Sequence, residues 1–289
     1  MKMIFVRRRG LGHSSTKGLV QELHDLGITA SIWRNDQRIP QELTQDETVA
    51  VRWGCSSTLP LSTRGVLNKA SGIHSVNDKM GFLKTLDESP LQKGLLPVLT
   101  TAHTPLEIPP VEKWVVRPRH HSQGRNLHVV TSENVMGSLM RMEHGYARPL
   151  VQKKAEYRVY VVDGRVVNVA RKTPGNPDDV AWNVAQGGRF DNVRWGDWPI
   201  NVVDLACSVF PYTGLNFSGI DVMVDENDEA WFIEANSAPS LPFNSDGSTT
   251  YRHKCMAKAL AYSVLENKGM LEYQQGEGYR GYIHPALGV

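Results

Sequence analysis

The chain has 289 residues, which at ~150 residues per domain is enough for about two domains with a buried core. Hydrophobic residues make up 40% and charged residues 21%, which excludes a disordered or collagen-like chain. The 32 Lys and Arg residues nearly balance the 30 Asp and Glu residues, so nucleic-acid binding is not expected. Three cysteines without Cys-x-x-Cys spacing argue against a disulfide framework and favour a reducing compartment. No apolar run approaches ~18 residues, so we expect a cytoplasmic protein without a membrane segment.

The first 75 residues alternate short apolar runs with helical patterns and predict a small βαβ-type lobe with a parallel sheet. The predicted elements are Met3 to Arg7, Ser14 to Leu26, Ile28 to Trp33 and Thr48 to Trp53. Between the first strand and the first helix, Gly10-Leu11-Gly12-His13-Ser14-Ser15 is similar to a dinucleotide fingerprint whose third glycine is replaced by Ser15. The acidic residue expected ~20 positions later is not in a suitable place. The segment therefore predicts only a helix N-terminus able to hold an anion, such as a substrate carboxylate.

We expect a second lobe to begin after residue 75. Residues 77–87 predict a helix opened by an Asx cap, and prolines then mark a loop-rich passage. Residues 114–117 and 127–130 predict two strands with a polar loop between them. From 151 to 236 the pattern indicates hairpins, with one helix at about 200–210.

The segment 219–236 predicts a hairpin with an acidic turn. A two-residue Asn227-Asp228 loop and a four-residue loop give the same register, which places Asp221 opposite Glu234. Two facing carboxylates repel unless a cation lies between them or one is protonated. With the amide of Asn236 they form an all-oxygen set that suits Mg²⁺ or Mn²⁺, and a solvated hairpin rim is the alternative. Period-two alternation puts Asp221, Met223, Phe232, Glu234 and Asn236 on one face and Val222, Val224, Trp231 and Ile233 on the other.

A second hairpin is predicted around Asp163-Gly164, a strong turn signal between alternating apolar residues. The two-residue turn pairs Glu156 with Arg171 and Arg158 with Val169. The base of this hairpin is dense in cations, which favours either a phosphate or carboxylate clamp or a surface ladder of ion pairs.

The loop from His120 to Arg125 follows a predicted strand that ends in Arg117. Small polar residues with one glycine can offer backbone N–H groups to phosphates. The two histidines are interpreted as solvated loop residues, because no third ligand has suitable spacing. No Gly-x-Ser-x-Gly elbow occurs, so hydrolase chemistry of that type is disfavoured.

Taken in chain order, these motifs resemble the ATP-grasp superfamily, and most closely its RimK-type branch of carboxylate-amine ligases. The resemblance covers 77–242 and rests on the segments VVRPRHHSQGRNL, EYRVYVVDGRVVNVARK, AWNVAQGGRF and FSGIDVMVDENDEAWFIEANSAPSLP. It implies an α/β (α+β) chain with an ATP-grasp fold and an N-terminal Rossmann-like pre-ATP-grasp lobe at 1–75. The ATP-grasp domain would occupy 76–289, with a lid subdomain at 76–150 and a metal- and ATP-binding subdomain at 151–289.

The resemblance also implies ATP and one or two Mg²⁺ or Mn²⁺ ions as cofactors, and a role for each matching residue. The implied metal ligands are Asp221, Glu234 and Asn236. The implied nucleotide-binding residues are Lys79, Arg117, Ser122, Gln123, Gly124, Gln152, Lys153, Lys154 and Glu156. The implied catalytic residues, facing the γ-phosphate and the transition state, are Arg158, Lys172 and Asn183.

The function implied is an ATP-dependent ligase that activates a carboxylate as an acylphosphate, releases ADP and joins the acyl group to an amine. The amine could be carried by an amino acid, a peptide or a protein. Two alternatives are an ATP-grasp phosphotransferase acting on a hydroxyl, and a nucleotide-binding regulatory module without turnover. The sequence leaves open the identity of both substrates, the oligomeric state and the role of the Gly/Tyr-rich tail.

Overall fold

The computed structural model describes residues 1–45, 47–60, 65–91, 93–103, 110–120, 126–176, 179–182 and 187–267. In these parts of the chain, twelve strands and six α-helices form three sheets with their covering helices. None of the helices in the described ranges is long and apolar enough to cross a membrane.

The N-terminal lobe is the predicted parallel βαβ unit, and its architecture is confirmed. Its strands are β1 (Lys2–Arg7), β2 (Thr29–Arg34), β3 (Thr48–Arg52) and β4 (Gly65–Leu67), and the sheet order is β2-β1-β3-β4. The helix α1 (His13–Asp25) carries the chain from β1 to β2. All pairings in this sheet are parallel.

Two short helices and a small antiparallel sheet follow. The helices are α2 (Ala70–Asn77) and α3 (Lys79–Asp87). Asp78 caps α3, because its carboxylate accepts a hydrogen bond from the N–H of Gly81 at 3.1 Å, as the Asx-cap prediction required. The sheet has the order β6-β5-β7 and packs against α4 (Ser132–Met140). Its strands are β5 (Lys113–Pro118), β6 (His128–Thr131) and β7 (Gly145–Pro149).

The largest sheet is antiparallel, with the strand order β10-β9-β8-β11-β12. The strands are β8 (Lys153–Val162), β9 (Arg165–Thr173), β10 (Arg189–Asn192), β11 (Phe217–Asp225) and β12 (Ala230–Asn236). Two further helices, α5 (Ile200–Val209) and α6 (Tyr251–Asn267), lie on opposite sides of it.

This five-stranded sheet has two different faces. On the apolar face, side chains such as Val159, Ile220 and Phe232 join one core with α2, α3 and α5. On the other face, Tyr160 and Phe217 join a second core formed with α6 and the N-terminal lobe. We call this second side the polar face, because the buried charges described below lie beside its apolar residues.

The register predicted for the β8–β9 hairpin is wrong by one residue along most of its length. Next to the turn, Val161 pairs with Val166 as the tight Asp-Gly turn requires. A bulge then leaves Val167 without a partner, and from there Glu156 pairs with Lys172 instead of Arg171. By the same shift Arg158 pairs with Ala170 instead of Val169.

In the β11–β12 hairpin, the predicted pairing of Asp221 with Glu234 is confirmed. The turn is nevertheless neither of the two predicted, because the N–H of Asp225 donates to the carbonyl of Glu229 at 3.0 Å around a three-residue loop. A bulge at Ile233 compensates for this one-residue difference.

That bulge corrects the predicted faces of two residues on β12. Phe232 pairs with Val222 and lies in the apolar core with it, instead of sharing a face with Asp221. Trp231 pairs with Met223, whereas the alternation placed the two on opposite faces.

Candidate active site

Four charged side chains on three neighbouring strands form a continuous set of ion pairs on the polar face. Arg158 of β8 donates from Nε to Oδ1 of Asp221 at 2.6 Å and from Nη2 to Oδ2 at 2.7 Å. Lys172 of β9 donates from Nζ to Oδ2 of Asp221 at 2.6 Å and to Oε1 of Glu156 at 2.5 Å. All four residues are less than a tenth exposed, so these pairs are screened very little by solvent.

The bulge at Val167 brings Lys172 into this cluster. In the unbulged register predicted from the turn, Lys172 would lie opposite Ala155, whose side chain belongs to the apolar core. The extra residue moves Lys172 opposite Glu156, on the same face as Arg158. One irregular residue therefore decides whether the two predicted catalytic cations share a face.

Lys153 extends the cluster by one more cation. Its ammonium group pairs with Oε2 of Glu156, donates to the carbonyl of Val180 at 2.8 Å and lies 4.5 Å from the ring centroid of Trp182. Burial lowers the pKa of Lys153 more than the charge of Glu156 raises it. For Lys172 burial also acts to lower the pKa, but its two carboxylate partners outweigh burial, so its pKa is raised. Lys172 is therefore protonated at neutral pH.

Glu234 of β12 is the pairing partner of Asp221 on β11, and its side chain makes separate contacts. Nζ of Lys79 is 3.6 Å from Oε2, and Nδ2 of Asn236 donates to Oε1 at 3.0 Å. Burial alone would raise the pKa of Glu234, but the positive charges of Lys79, Lys172 and Arg158 outweigh burial and hold it well below its usual range. The carboxylate is therefore ionised at neutral pH.

A small cleft lies next to Glu234, between the three-stranded and the five-stranded sheets. Its walls combine apolar side chains with two cations, Lys79 of α3 and Arg117 of β5. The remaining lining residues are Phe82, Leu83, Tyr146, Phe232, Ile233, Glu234 and Ala235. The cleft therefore brings two cations to the edge of the acidic hairpin.

The structure therefore brings together most of the predicted site, but not all of it. Lys154 is exposed and pairs with Asp228 in the turn of the β11–β12 hairpin, away from the buried cluster. Gln152 is exposed in the short segment before β8. Four other predicted residues, Ser122, Gln123, Gly124 and Asn183, lie outside the described residues.

Two residues of this site were not predicted from the sequence. The ring of Phe190 on β10 lies 5.0 Å from the guanidinium carbon of Arg158 and 5.9 Å from Nζ of Lys172. Arg252 of α6 lies 5.7 Å from the same ring and donates to the carbonyl of Phe190 at 3.1 Å. Phe190 falls within the motif AWNVAQGGRF and could have been noticed there, whereas only the folding of α6 onto the sheet brings Arg252 close.

Within the described ranges, no three His, Cys, Asp or Glu side chains are grouped so that they could hold a metal ion. The predicted ligand set has a different composition, since it contains two carboxylates and one amide. Mg²⁺ is commonly held by one or two carboxylates together with substrate phosphates, so a set of this size is not unusual for it.

The Tubulin-tyrosine ligase family model matches residues 208–270, which include β11, β12 and all of α6. No curated protein sequence matches the chain. The family match covers the acidic hairpin that the sequence analysis identified as a metal-binding end.

Similar solved structures cover most of the chain. A RiPP-associated ATP-grasp ligase from Chryseobacterium gregarium, in complex with ADP and a leader and core peptide, has a TM-score of 0.65 at 14% identity, covering 91% of this chain and 97% of that chain. The macrocyclase MdnC from Microcystis aeruginosa, bound with precursor peptide MdnA, has a TM-score of 0.62 at 14% identity. The match covers 91% of this chain and 100% of that chain. A RimK domain ATP-grasp protein from Sphaerobacter thermophilus has a TM-score of 0.60 at 13% identity. The match covers 91% of this chain and 98% of that chain. The predicted ATP-grasp fold is thereby confirmed.

Proposed function

We propose that this protein is an ATP-dependent carboxylate-amine ligase that releases ADP and forms an amide bond. The observation that carries the proposal is the buried cluster on the polar face of an ATP-grasp fold, where Arg158 and Lys172 meet Asp221 beside Glu234. The similar solved structures are themselves ATP-grasp ligases, two of them bound to peptides, and they support a peptide as one substrate here.

The charge balance of the cluster supports an anionic ligand. Lys79, Lys153, Arg158 and Lys172 carry four positive charges against the three negative charges of Glu156, Asp221 and Glu234, which leaves one positive charge in excess. A buried excess of charge is costly unless a ligand of opposite sign compensates for it. The phosphate groups of a nucleotide would supply that compensation.

The residues present fit a Mg²⁺ ion. Asp221 accepts three hydrogen bonds in total from Arg158 and Lys172, so of about four lone-pair positions it keeps one for a metal. Glu234 is ionised and half-buried, and the side-chain oxygen of Asn236 completes an oxygen set. Asp221, Glu234 and Asn236 would hold the ion, which when bound neutralises phosphate charge.

The surrounding side chains have distinct roles in the reaction. Lys79 and Arg117, which line the small cleft next to Glu234, would bind phosphate oxygens. Arg158 and Lys172 would stabilise the charge on the phosphoryl group while a substrate carboxylate oxygen attacks the γ-phosphorus and the bond to ADP breaks. The amine then attacks the acyl carbon, and phosphate leaves.

The experiment that tests this function is a measurement of ADP release from ATP and Mg²⁺ with pools of amino acids and short peptides. We expect release that requires a component of the pool and that disappears in the Asp221→Ala/Glu234→Ala double variant. Release that occurs with hydroxyl compounds and no amine would favour a phosphotransferase. Nucleotide binding without release in any pool would favour a regulatory module.

Arg158→Ala and Lys172→Ala test the catalytic assignment. We expect turnover to fall by at least about 100-fold in each variant, because the lost cation stabilises charge in the transition state. ATP affinity, measured separately by calorimetry, should fall much less. Equal losses of turnover and affinity would mean that the two cations only bind ATP.

A further inference from the structure

The strand β12 is an outer strand of the five-stranded sheet, and residues from other parts of the chain cover its free edge. The N–H of Phe232 donates to the carbonyl of Gly94 at 2.7 Å. Nζ of Lys79 donates to the carbonyl of Ala235 at 2.8 Å. An edge strand presents backbone groups that have no partner within its own sheet. Between these two contacts, the edge of β12 is bound by Arg148 of β7.

The guanidinium group of Arg148 binds two successive carbonyl groups of β12. Its Nη1 donates to the carbonyl of Ile233 at 3.2 Å, and its Nη2 donates to the carbonyl of Phe232 at 2.9 Å. In a regular antiparallel strand, successive carbonyl groups point to opposite edges. Ile233 is the residue that the bulge leaves without a partner on β11. The planar fork of Arg148 therefore fits the bulged form of β12 and does not fit the regular form.

The bulge at Ile233 decides which residue of β12 faces Asp221. In the observed register, Asp221 pairs with Glu234. With the same turn and no bulge, Ile233 would lie opposite Asp221, and Glu234 would lie opposite Ile220, which is fully buried in the apolar core. The position of the predicted metal ligand Glu234 thus depends on the local backbone that Arg148 binds.

Arg148 is a buried charge, and the stability of the fold does not account for it. Its side chain is 9% exposed, and its buried Nε has no hydrogen-bond partner. Among the described residues, no carboxylate forms an ion pair with it. Burial lowers the pKa of Arg148 to about 10, so the group is still charged at neutral pH. Since a buried charge without a counter-ion costs stability, the fork that Arg148 presents to β12 is the better reason for an arginine here.

We infer that Arg148 is a positioning residue for the metal site, because its guanidinium group holds the bulge at Ile233 and thereby keeps Glu234 beside Asp221. Arg148 acts through the backbone of β12. The role of Glu234 as a metal ligand rests on the proposed function, whereas the link between Arg148 and the bulge does not.

Binding of Mn²⁺ to the full-length protein with ADP, measured by electron paramagnetic resonance, tests this inference without turnover. We expect Arg148→Met to weaken Mn²⁺ binding by about tenfold or more, because the loss of a group that orients a metal ligand typically costs about 10–100-fold in affinity. The affinity for ADP without metal, measured by calorimetry, should stay unchanged. Equal Mn²⁺ affinity in the wild-type and Arg148→Met proteins would overturn the inference.

The Mg²⁺ dependence of ADP release provides a second measurement. In Arg148→Met, the Mg²⁺ concentration needed for half-maximal release should rise by about tenfold, with a much smaller change of turnover at saturating Mg²⁺. A fall of turnover at saturating Mg²⁺ with an unchanged Mg²⁺ requirement would contradict a role in metal binding.

Arg52→Met is the matched control. Arg52 ends β3 in the N-terminal lobe, is also 9% exposed and also has a buried Nε without a partner. Its Nη2 donates to the carbonyl of Ser57 at 2.8 Å, so its replacement removes a similar hydrogen bond far along the chain from β12. Arg52→Met should leave Mn²⁺ affinity unchanged. An equal loss of Mn²⁺ affinity in this variant would mean that general destabilisation is the cause, and would overturn the inference.

Arg148→Lys keeps the test usable if Arg148→Met does not fold. Lysine retains the charge but offers a single ammonium group in place of the planar fork. We expect a smaller loss of Mn²⁺ affinity, about threefold. Affinity equal to that of the wild type would show that the bulge does not need the fork.

Amide hydrogen exchange of β12, measured without metal or nucleotide, separates the inference from the proposed function. Exchange should be faster in Arg148→Met than in the wild-type and Arg52→Met proteins, because the bulge is no longer held. Unchanged exchange would overturn the inference even for an active ligase. Faster exchange with no Mn²⁺ binding by the wild type would support the link to the bulge and refute the metal site of the proposed function. Mn²⁺ binding that depends on Arg148, without ADP release in any substrate pool, would support the inference and refute the ligase.

Discussion

The two faces of the five-stranded sheet are built from alternate residues of the same strands, yet they bury opposite kinds of side chain. Ile220 is fully buried in the apolar core, whereas its neighbour Asp221 is almost as buried but joins Arg158 and Lys172 on the polar face. Burying hydrocarbon stabilises the fold directly, at roughly 25 cal/mol per Å². Burying ion pairs does not, because the desolvation of the charges can exceed their attraction.

The difference indicates what each face is for. A cluster of five charges could be replaced by apolar residues of similar volume with little loss of stability. On the proposed function, the polar face has charges because a ligand or a reaction needs them, while the apolar face holds α2, α3 and α5 in place. Variants of adjacent residues can separate these two roles.

Replacement of Asp221 should have the largest effect on stability. Asp221→Asn leaves Arg158 and Lys172 buried without their shared carboxylate, and we expect the free energy of unfolding to fall by about 3–5 kcal/mol. Urea denaturation measures this change. The control Ile220→Val, one residue away on the apolar face, should cost about 0.5–1.5 kcal/mol. A loss below about 1 kcal/mol in Asp221→Asn would contradict the view that this carboxylate neutralises the cluster.

The next largest effect is a pH dependence of stability that comes from His253. This residue of α6, the helix that covers the polar face, is fully buried. Burial, reinforced by the positive charge of Arg252, lowers the pKa of His253 to about 4, and its Nδ1 accepts the N–H of Thr250 at 3.1 Å. Between pH 6.5 and 4 the unfolded chain binds a proton at this histidine that the folded chain does not. The contribution of His253 to the free energy of unfolding is therefore fully present above pH 6.5. It falls by up to about 1.4 kcal/mol per pH unit as the pH is lowered to 4.

Urea unfolding at several pH values, on the wild-type protein and on His253→Gln, isolates this contribution. The difference in unfolding free energy between the two proteins should shrink as the pH falls from 6.5 to 4. A difference that stays constant over this range would show that His253 titrates alike in both states.

The smallest effect on stability is expected at Gly219 on the polar face, where neighbouring side chains leave no room for a Cβ atom. A Cβ at this position would lie 2.7 Å from Cβ of Pro239 and 3.1 Å from Cδ of Arg158. Gly219→Ala should therefore lower the unfolding free energy by about 1–3 kcal/mol and should also displace Arg158 and reduce turnover. Gly196→Ala is the control, because nothing lies within 4 Å of its added Cβ. Unchanged turnover in Gly219→Ala would mean that Arg158 can shift without consequence.

The sequence alone determined the local elements and the order of the motifs. Alternation and turn chemistry predicted the parallel lobe, the Asp78 cap and the two hairpins, because these depend on neighbouring residues. The pairing of Asp221 with Glu234 was also correct, although only because the three-residue turn and the bulge at Ile233 compensate for each other. The ATP-grasp resemblance rested on the same motifs.

Tertiary structure alone decided which charges meet. The bulge at Val167 moves Lys172 onto the face of Arg158, and a bulge depends on how whole strands twist and pack rather than on any turn residue. Arg252 reaches Phe190 only because α6 packs against the sheet, 62 residues further along the chain. Contacts between distant segments leave no periodic signal in a sequence, so the buried charges, which carry the proposed functions, could be assigned only from the folded chain.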